Sequence, residues 1–463
     1  MFCVDRIAVF PGNDKSDMIM GKIKRIFFVF IIGLFLPGIS FSQEVIYQEG
    51  IARNFLGYLV NNEVTEMMGM FSESFLGQVP EEQIKEIAGG LEKQLGKFSH
   101  VSRVLHESTG QYHTVILVCV FGEMELGLRI SLDQEDKVAG FFITMAPPES
   151  FTPPPAWVDT TAFSEIPAEI DCGDISLPAM LSIPLKGSNF PVVVLVHGSG
   201  SHDMDQSIGP NKIFRDIAWG LSSQGIAVLR YEKRSFRNHH TINTEDFSVW
   251  DEAGRDAVYA VNMAMQIPEA DPGRVYLLGH SLGGMIAPRI ALEVPGLEGV
   301  ISMAGSPRQL YEIIPGQLEY LISLRDEPGE AALEQLEEAR EVAEILARKR
   351  NEADAIYKET LLGMPPSYLA DMNRHDTGEI AAGLPQRVLI LHGERDYQVT
   401  MEDYEAWKRA LNDHPATTFI LYPEMNHLFF PGQEPSVPEE YFFKNNVGKP
   451  VIDDIVKWIM EEK

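Results

Sequence analysis

The sequence predicts an α/β protein with a mostly parallel sheet, preceded by a small α+β domain, and three observations carry that expectation. From about residue 166 onward, short apolar runs alternate with helical stretches, the pattern of a sheet covered by helices on both faces. Residues 46–146 read instead as helical patterns followed by consecutive β runs. Between the two lies a proline-rich stretch, 147–165, with Pro147, Pro153, Pro154 and Pro155, which reads as a stiff linker.

A chain of 463 residues exceeds one ordinary core, and its 45% hydrophobic and 10% aromatic content is that of a folded globular protein. Lys and Arg number 38 against 67 Asp and Glu, a formal charge of -29. Such a surface repels phosphate backbones, so nucleic acid is excluded as an expected partner.

Near the N-terminus Lys22, Lys24 and Arg25 precede an apolar run from Ile26 to Leu36, then Pro37, Gly38 and the small-residue site Ser40-Phe41-Ser42. This is the layout of a secretory signal peptide over residues 1–42, cleaved near Ser42. The run is too short to cross a bilayer, which takes about 20 residues. No Cys follows it where lipid attachment would require one, so the expected compartment is periplasmic or extracellular, without a stable membrane span in the mature protein. Cys119 and Cys172 remain, and buried free thiols are expected over a disulfide between them.

In the first domain, Ile51, Phe55, Leu59, Val64, Met67 and Met68 recur at near-helical spacing between Glu49 and Met70, and a second helical pattern runs from Pro80 to Leu95. Strands are predicted over Phe98–Leu105, Tyr112–Phe121, Glu123–Leu132 and Val138–Thr144, joined by turns at Phe121-Gly122-Glu123 and Asp133–Asp136. This order, with the patterns Leu91–Phe98 and Lys137–Phe142, resembles the cone-shaped nuclear-transport-factor-two-like domains.

In the second region, strands are predicted over Ile175–Pro184, Val192–Val196, Ala227–Tyr231, Val275–Leu278, Gly299–Met303, Val388–Leu391 and Thr418–Tyr422. More than eighty residues separate Met303 from Val388, so an insertion is expected at about 306–384. Within it Leu333, Leu336, Ala339, Val342 and Leu346 step by three or four among charged residues, which predicts a long amphipathic helix and, from its place in the chain, a helical cap over the active site.

Gly279-His280-Ser281-Leu282-Gly283 sits between the Val275–Leu278 strand and a helical stretch. A sharp strand-to-helix turn there pushes one hydroxyl above the sheet, and Gly279 and Gly283 relieve the crowding, so Ser281 is the expected nucleophile. His197-Gly198-Ser199-Gly200 ends the Val192–Val196 strand. Gly198 and Gly200 make a tight backbone loop there, whose N–H groups around Ser199, with that of Leu282, are the expected oxyanion hole. A serine needs a base near neutrality, and His427, directly after the last predicted strand, is the candidate. Asp396, after the preceding strand, is the carboxylate expected to orient it, with Glu394 as the competing carboxylate.

Other polar residues receive structural readings. His197, His280 and His392 are expected to pack or hydrogen-bond beside the turns. His202 with the aspartates at 203 and 205 has metal-like composition, but no second ligand cluster accompanies it; neither metal nor cofactor is expected.

With these motifs in the order Ser, Asp, His, residues 166–463 resemble the α/β-hydrolase superfamily. Leu177–Pro184, Gly209-Pro210-Asn211-Lys212 through Leu221, and Leu229-Arg230-Tyr231-Glu232-Lys233-Arg234 resemble exported bacterial esterases of the serine aminopeptidase-like or dienelactone-hydrolase-like type. The resemblance implies hydrolysis of a small-molecule carboxylic ester through an acyl-enzyme, with Ser281, Asp396 and His427 in the triad positions. Where relatives commonly read Asp-Lys-Arg-Gly, this chain has Glu232-Lys233-Arg234-Ser235. Two other readings stand beside the esterase: a serine peptidase acting on short or acylated peptides, and a non-catalytic envelope-binding module.

Overall fold

A computed structural model describes residues 40–77, 79–109, 112–122, 124–147, 153–237, 247–325, 329–349 and 364–461. The basic and apolar residues 22–36, on which the export expectation rests, lie outside them. Two compact units divide between Pro147 and Pro148.

The first unit opens with α1 (Ser40–Val60), α2 (Val64–Met70), α3 (Glu73–Leu76) and α4 (Glu81–Leu95). A four-stranded antiparallel sheet follows in the order β1 (Phe98–Thr109), β2 (Tyr112–Phe121), β3 (Met124–Leu132) and β4 (Val138–Met145). Phe55 of α1 packs its ring 5.0 Å from Phe141 of β4, and Phe71 stacks on Phe75 at 4.3 Å, so the helices cover one sheet face with aromatic side chains. The helices-then-sheet order matches the expectation, with α1 beginning earlier and α3 added.

The second unit contains an eight-stranded mixed sheet. Its elements are β5 (Phe163–Asp171), β6 (Ser176–Pro184), β7 (Phe190–Val196), a two-residue hairpin of β8 (Ser207–Ile208) and β9 (Asn211–Lys212), α5 (Ile213–Ser222), β10 (Ala227–Tyr231), α6 (Arg234–Arg237) and α7 (Arg255–Ala264). Then come β11 (Ala270–His280), α8 (Leu282–Glu293), β12 (Gly299–Met303), α9 (Leu310–Ser323), α10 (Glu330–Lys349), α11 (Pro366–Arg374), α12 (Thr377–Ala382), β13 (Arg387–Gly393), α13 (Met401–Ala410), β14 (Thr417–Tyr422) and α14 (Lys449–Met460). The sheet order is β14-β13-β12-β11-β7-β10-β6-β5, with β6 antiparallel to both of its neighbours, β10 and β5, and every other adjacent pair parallel. Every residue of β7, β10 and β12 is buried, as strands covered on both faces require.

Two sequence expectations are corrected. The stretch 147–165, expected as a stiff linker throughout, is built into the second unit at its described residues: the ring of Trp157 lies against Gly220 of α5, Asp159 N–H donates to Ser223 Oγ at 3.1 Å, and β5 begins at Phe163. β5 escapes the apolar-run criterion because it is an edge strand with only Phe163 and Ile170 buried and a proline, Pro167, at its centre. In α10, Leu336, Ala339, Val342 and Leu346 are buried as their spacing predicts, but Leu333, near the start of the helix, is 48% exposed.

No helix among the described residues is long and apolar enough to cross a membrane. Cys119 and Cys172 are buried free thiols, and burial pushes both up to about 12.

Candidate active site

The parallel strands end on one edge of the sheet, and the side chains singled out in the sequence sit at those ends. β11 runs through His280, and α8 starts at Leu282, which leaves Ser281 as the hinge with φ 56° and ψ -117°. A β-carbon on Gly279 would lie 2.1 Å from Gly283 O, and one on Gly283 would lie 2.2 Å from Val196 O. No other residue fits either place. The turn is closed by backbone bonds: Ser281 N–H donates to Met303 O at 2.9 Å, and Ser281 O accepts from Met285 N at 2.9 Å. A serine held at positive φ by such over-determination is a strained residue of the kind found at functional sites.

His427 follows β14 in a turn shaped by Asn426, whose Oδ1 accepts from Leu428 N and Phe430 N, both at 3.0 Å. Asn426 Nδ2 donates to Glu440 Oε2 at 2.7 Å. His427 Nδ1–H donates to Asp396 Oδ2 at 2.7 Å, and Asp396 Oδ1 accepts from Gln398 N at 2.8 Å and Val399 N at 2.9 Å. Both side chains are buried, so the carboxylate fixes the ring's tautomer and leaves Nε2 free to take a proton. Glu394, the other carboxylate of this turn, is exposed.

Ser281 and His427 share one pocket with Gly198, Ser199, His202, Gln206, His280 and Gln398, closed by apolar Ile208 and Leu428 beside Tyr441. The pocket encloses about 320 Å³ including its open mouth.

The loop after β7 is held by side chains remote in sequence. Gly198 N–H donates to Gln206 Oε1 at 3.0 Å, Gly200 N–H donates to Glu252 Oε1 at 2.9 Å, and His202 Nε2–H donates to Ser199 O at 2.8 Å. The amides on either side of Ser199 N–H are thus occupied. Leu282 N–H is the first of α8, where no intrahelical acceptor exists. Ser199 lines the pocket with Ser281 and Leu282 follows Ser281 in the chain, so the two residues expected from the sequence to supply the donors lie beside it.

Gln206 also spans the site. Its Nε2 donates to His280 Nδ1 at 2.8 Å, and His280 Nε2–H donates to His427 O at 2.9 Å, so one chain of bonds joins the Gly198 loop to the His427 turn. That pattern needs a neutral imidazole, and burial lowers His280 to about 3. Burial likewise lowers His202 to about 4 and holds His197 well below the ordinary histidine range. His197 Nε2–H donates to Asp203 O at 3.0 Å. His197 and His280 therefore hydrogen-bond beside the turns as expected. His392, by contrast, is buried against the Tyr404 ring, 5.4 Å away between centroids.

The acidic residues beside His202 are used structurally. Asp203 caps Ser207 through both carboxylate oxygens, and Asp205 accepts from Arg230 Nε and Lys212 Nζ, each at 2.9 Å. Among the described residues no group of three or more His, Cys, Asp or Glu is arranged to hold a metal. The insertion reaches the site's rim through Gln317 Nε2, which donates to Gln398 O at 2.8 Å, and Tyr320 OH, which donates to Ser436 O at 2.7 Å.

Sequence reading missed Gln206, Glu252 and Asn426. Asn426 directly precedes His427 and had a local signal as a turn-forming residue, whereas Gln206 reaches a partner 74 residues away and Glu252 one 116 residues away.

A mixed sheet with a serine turn after its central strand, and a buried His–Asp pair on the loops facing it, defines a hydrolase of the α/β class. The chain belongs to the alpha/beta hydrolase family, whose model matches residues 193–441. The first unit matches the model of a protein of unknown function (DUF3887) over residues 52–141. Esterase EstD of Thermotoga maritima is 35% identical over 436 residues, covering 94% of this chain and 99% of that protein. Among solved structures, Est1E from Butyrivibrio proteoclasticus is 16% identical with TM-score 0.42, covering 64% of this chain and 99% of its own. Dienelactone hydrolase from Anabaena variabilis is 16% identical with TM-score 0.40, covering 65% and 98%.

Proposed function

We propose that the chain is an exported carboxylic ester hydrolase that works through an acyl-enzyme on Ser281. The observation that carries this reading is the buried 2.7 Å bond from His427 Nδ1–H to Asp396 Oδ2, on a pocket shared with Ser281. The esterase relative, similar over nearly its whole length, supports an ester as the bond cleaved.

In the proposed reaction, Ser281 Oγ gives its proton to His427 Nε2 as it attacks the acyl carbon. Negative charge gathers on the former carbonyl oxygen, where the Ser199 and Leu282 N–H groups receive it. The imidazolium, held by Asp396, then protonates the departing alcohol, and water activated by the same histidine releases the acid. The apolar walls Ile208 and Leu428 suit the carbon chain of a small or medium acyl group. Export to the periplasm or medium rests on Lys22, Lys24, Arg25 and the apolar run after them. N-terminal sequencing of the exported protein tests it, with a start near Gln43 expected and an intact residue 1 overturning it.

The decisive assay compares the protein from Gln43 onward with its Ser281→Ala variant on nitrophenyl esters of increasing acyl length, with aminoacyl anilides alongside. Ester turnover falling at least about 10³-fold in the variant is expected. Equal turnover by both proteins overturns the assignment, and turnover confined to anilides replaces the esterase by a peptidase.

A further inference from the structure

Lys233 belongs to the Glu232-Lys233-Arg234-Ser235 segment after β10, and its side chain is buried 35 residues in sequence from the loop it touches. Its Nζ donates to Gly198 O at 2.7 Å and to Glu252 Oε1 at 2.7 Å. Glu252, in a π-helical turn over Trp250–Gly254, uses the same Oε1 to accept from Gly200 N–H at 2.9 Å. Its Oε2 accepts from Tyr368 OH at 2.8 Å, and Tyr368 lies on α11 of the insertion. α11 is seated on the same stretch by Ser367 Oγ, which donates to Phe247 O at 2.8 Å, and by Trp250 N–H, which donates to Asp371 Oδ2 at 2.9 Å.

We propose that Lys233, paired with Glu252, is the positioning residue of the oxyanion hole: it holds the carbonyl of the Gly198–Ser199 peptide so that the N–H of that peptide faces the pocket. This rests on the acyl-enzyme reading above. A peptide is planar and trans, so its N–H points opposite to its C=O. Fixing Gly198 O therefore fixes the direction of Ser199 N–H, without touching that donor. A cationic partner on the carbonyl also polarises the amide and strengthens it as a donor, since linked hydrogen bonds reinforce one another in a low dielectric.

Two further facts fit this role. A buried ammonium is unfavourable unless good acceptors compensate it, and the acceptors here are one carboxylate and the oxyanion-loop carbonyl. Glu252 fastens the next amide as well, so the pair grips the loop on both sides of Ser199. Tyr368 extends that grip to the insertion, which makes the placement of α11 part of how the oxyanion donor is aimed.

The test measures kcat and KM on a nitrophenyl ester, together with affinity for phenylboronic acid, whose tetrahedral serine adduct mimics the intermediate. Lys233→Met is expected to lower kcat by about 10²-fold to 10³-fold with KM changed little, the loss typical of one oxyanion donor. Boronate affinity should fall by a similar factor. Lys233→Gln, near in size and still an N–H donor, should recover part of both. Because Lys233→Met strands Glu252 as a buried charge, the neutral pair Lys233→Met/Glu252→Gln is made beside it and checked for folding by circular dichroism. Tyr368→Phe should reduce kcat and boronate affinity in parallel, by about 3-fold to 10-fold, in a protein of unchanged fold. Wild-type kcat and boronate affinity in any folded Lys233 variant overturn the inference, as does a fall in KM-linked binding with kcat intact. An active Ser281→Ala would bring down the acyl-enzyme reading instead, so the two failures are separable.

Discussion

The turn that carries Ser281 and the loops that face it are built by different physics. Around Ser281 the backbone closes on itself, through contacts that only Gly279 and Gly283 permit and bonds to Met303 O and Met285 N. Across the pocket, the Ser199 loop and the His427 turn are held by side chains: Gln206, Lys233 and Glu252 on one, Asp396 and Asn426 on the other. Ser281 is thus fixed by sterics, which tolerate no substitution at the two glycines. Its partners are fixed by hydrogen bonds, which can be removed one at a time.

Gly279→Ala breaks the first kind of turn. Its β-carbon would meet Gly283 O at 2.1 Å, with backbone on both sides and nothing flexible to yield. Loss of the folded enzyme is expected, read as no cooperative urea transition and no ester turnover. Asp396→Asn breaks the second kind while leaving the turn standing. The His427 tautomer is no longer imposed, and kcat should fall about 10⁴-fold, with circular dichroism unchanged.

Acid should separate the regions further. His202, which donates to Ser199 O, is lowered by burial from 6.5 to about 4, so the unfolded chain binds a proton that the folded one refuses. Stability from this group is present above pH 6.5 and is lost as pH falls from 6.5 toward 4, by roughly 3 kcal/mol over the window. Urea midpoints measured across that range should fall less steeply in His202→Gln; an identical slope refutes the assignment. Gln206→Leu is the mildest break: it removes the acceptor for Gly198 N–H and the donor to His280, and kcat should drop about 10-fold to 30-fold with KM nearly constant.

The same contrast explains what the sequence disclosed. β10 and β12 occupy the predicted residues because every side chain in them is buried, which leaves an unbroken apolar run between turn signals. The Ser281 turn was legible because its requirements are local: two glycines, a strand before, a helix after. Asp396 and His427 were legible through their order and their places after strands. Gln206 and Glu252 were not, because their bonds to Gly198 and Gly200 arise only when β7, the hairpin after it and the π-helical turn meet in space. β5 was hidden for the opposite reason, since half-exposed residues around Pro167 leave no period to detect.

That outermost strand has a consequence for how the protein behaves in a crowded solution. A sheet's last strand offers its unpaired amides as a template on which another chain can crystallise into a ribbon. Here the exposed middle of the strand carries Pro167, which has no amide hydrogen to offer, with carboxylates at Glu165 and Glu169 to either side. The missing rung at Pro167, beside the exposed carboxylate of Glu169, makes this rim a poor template for a further strand.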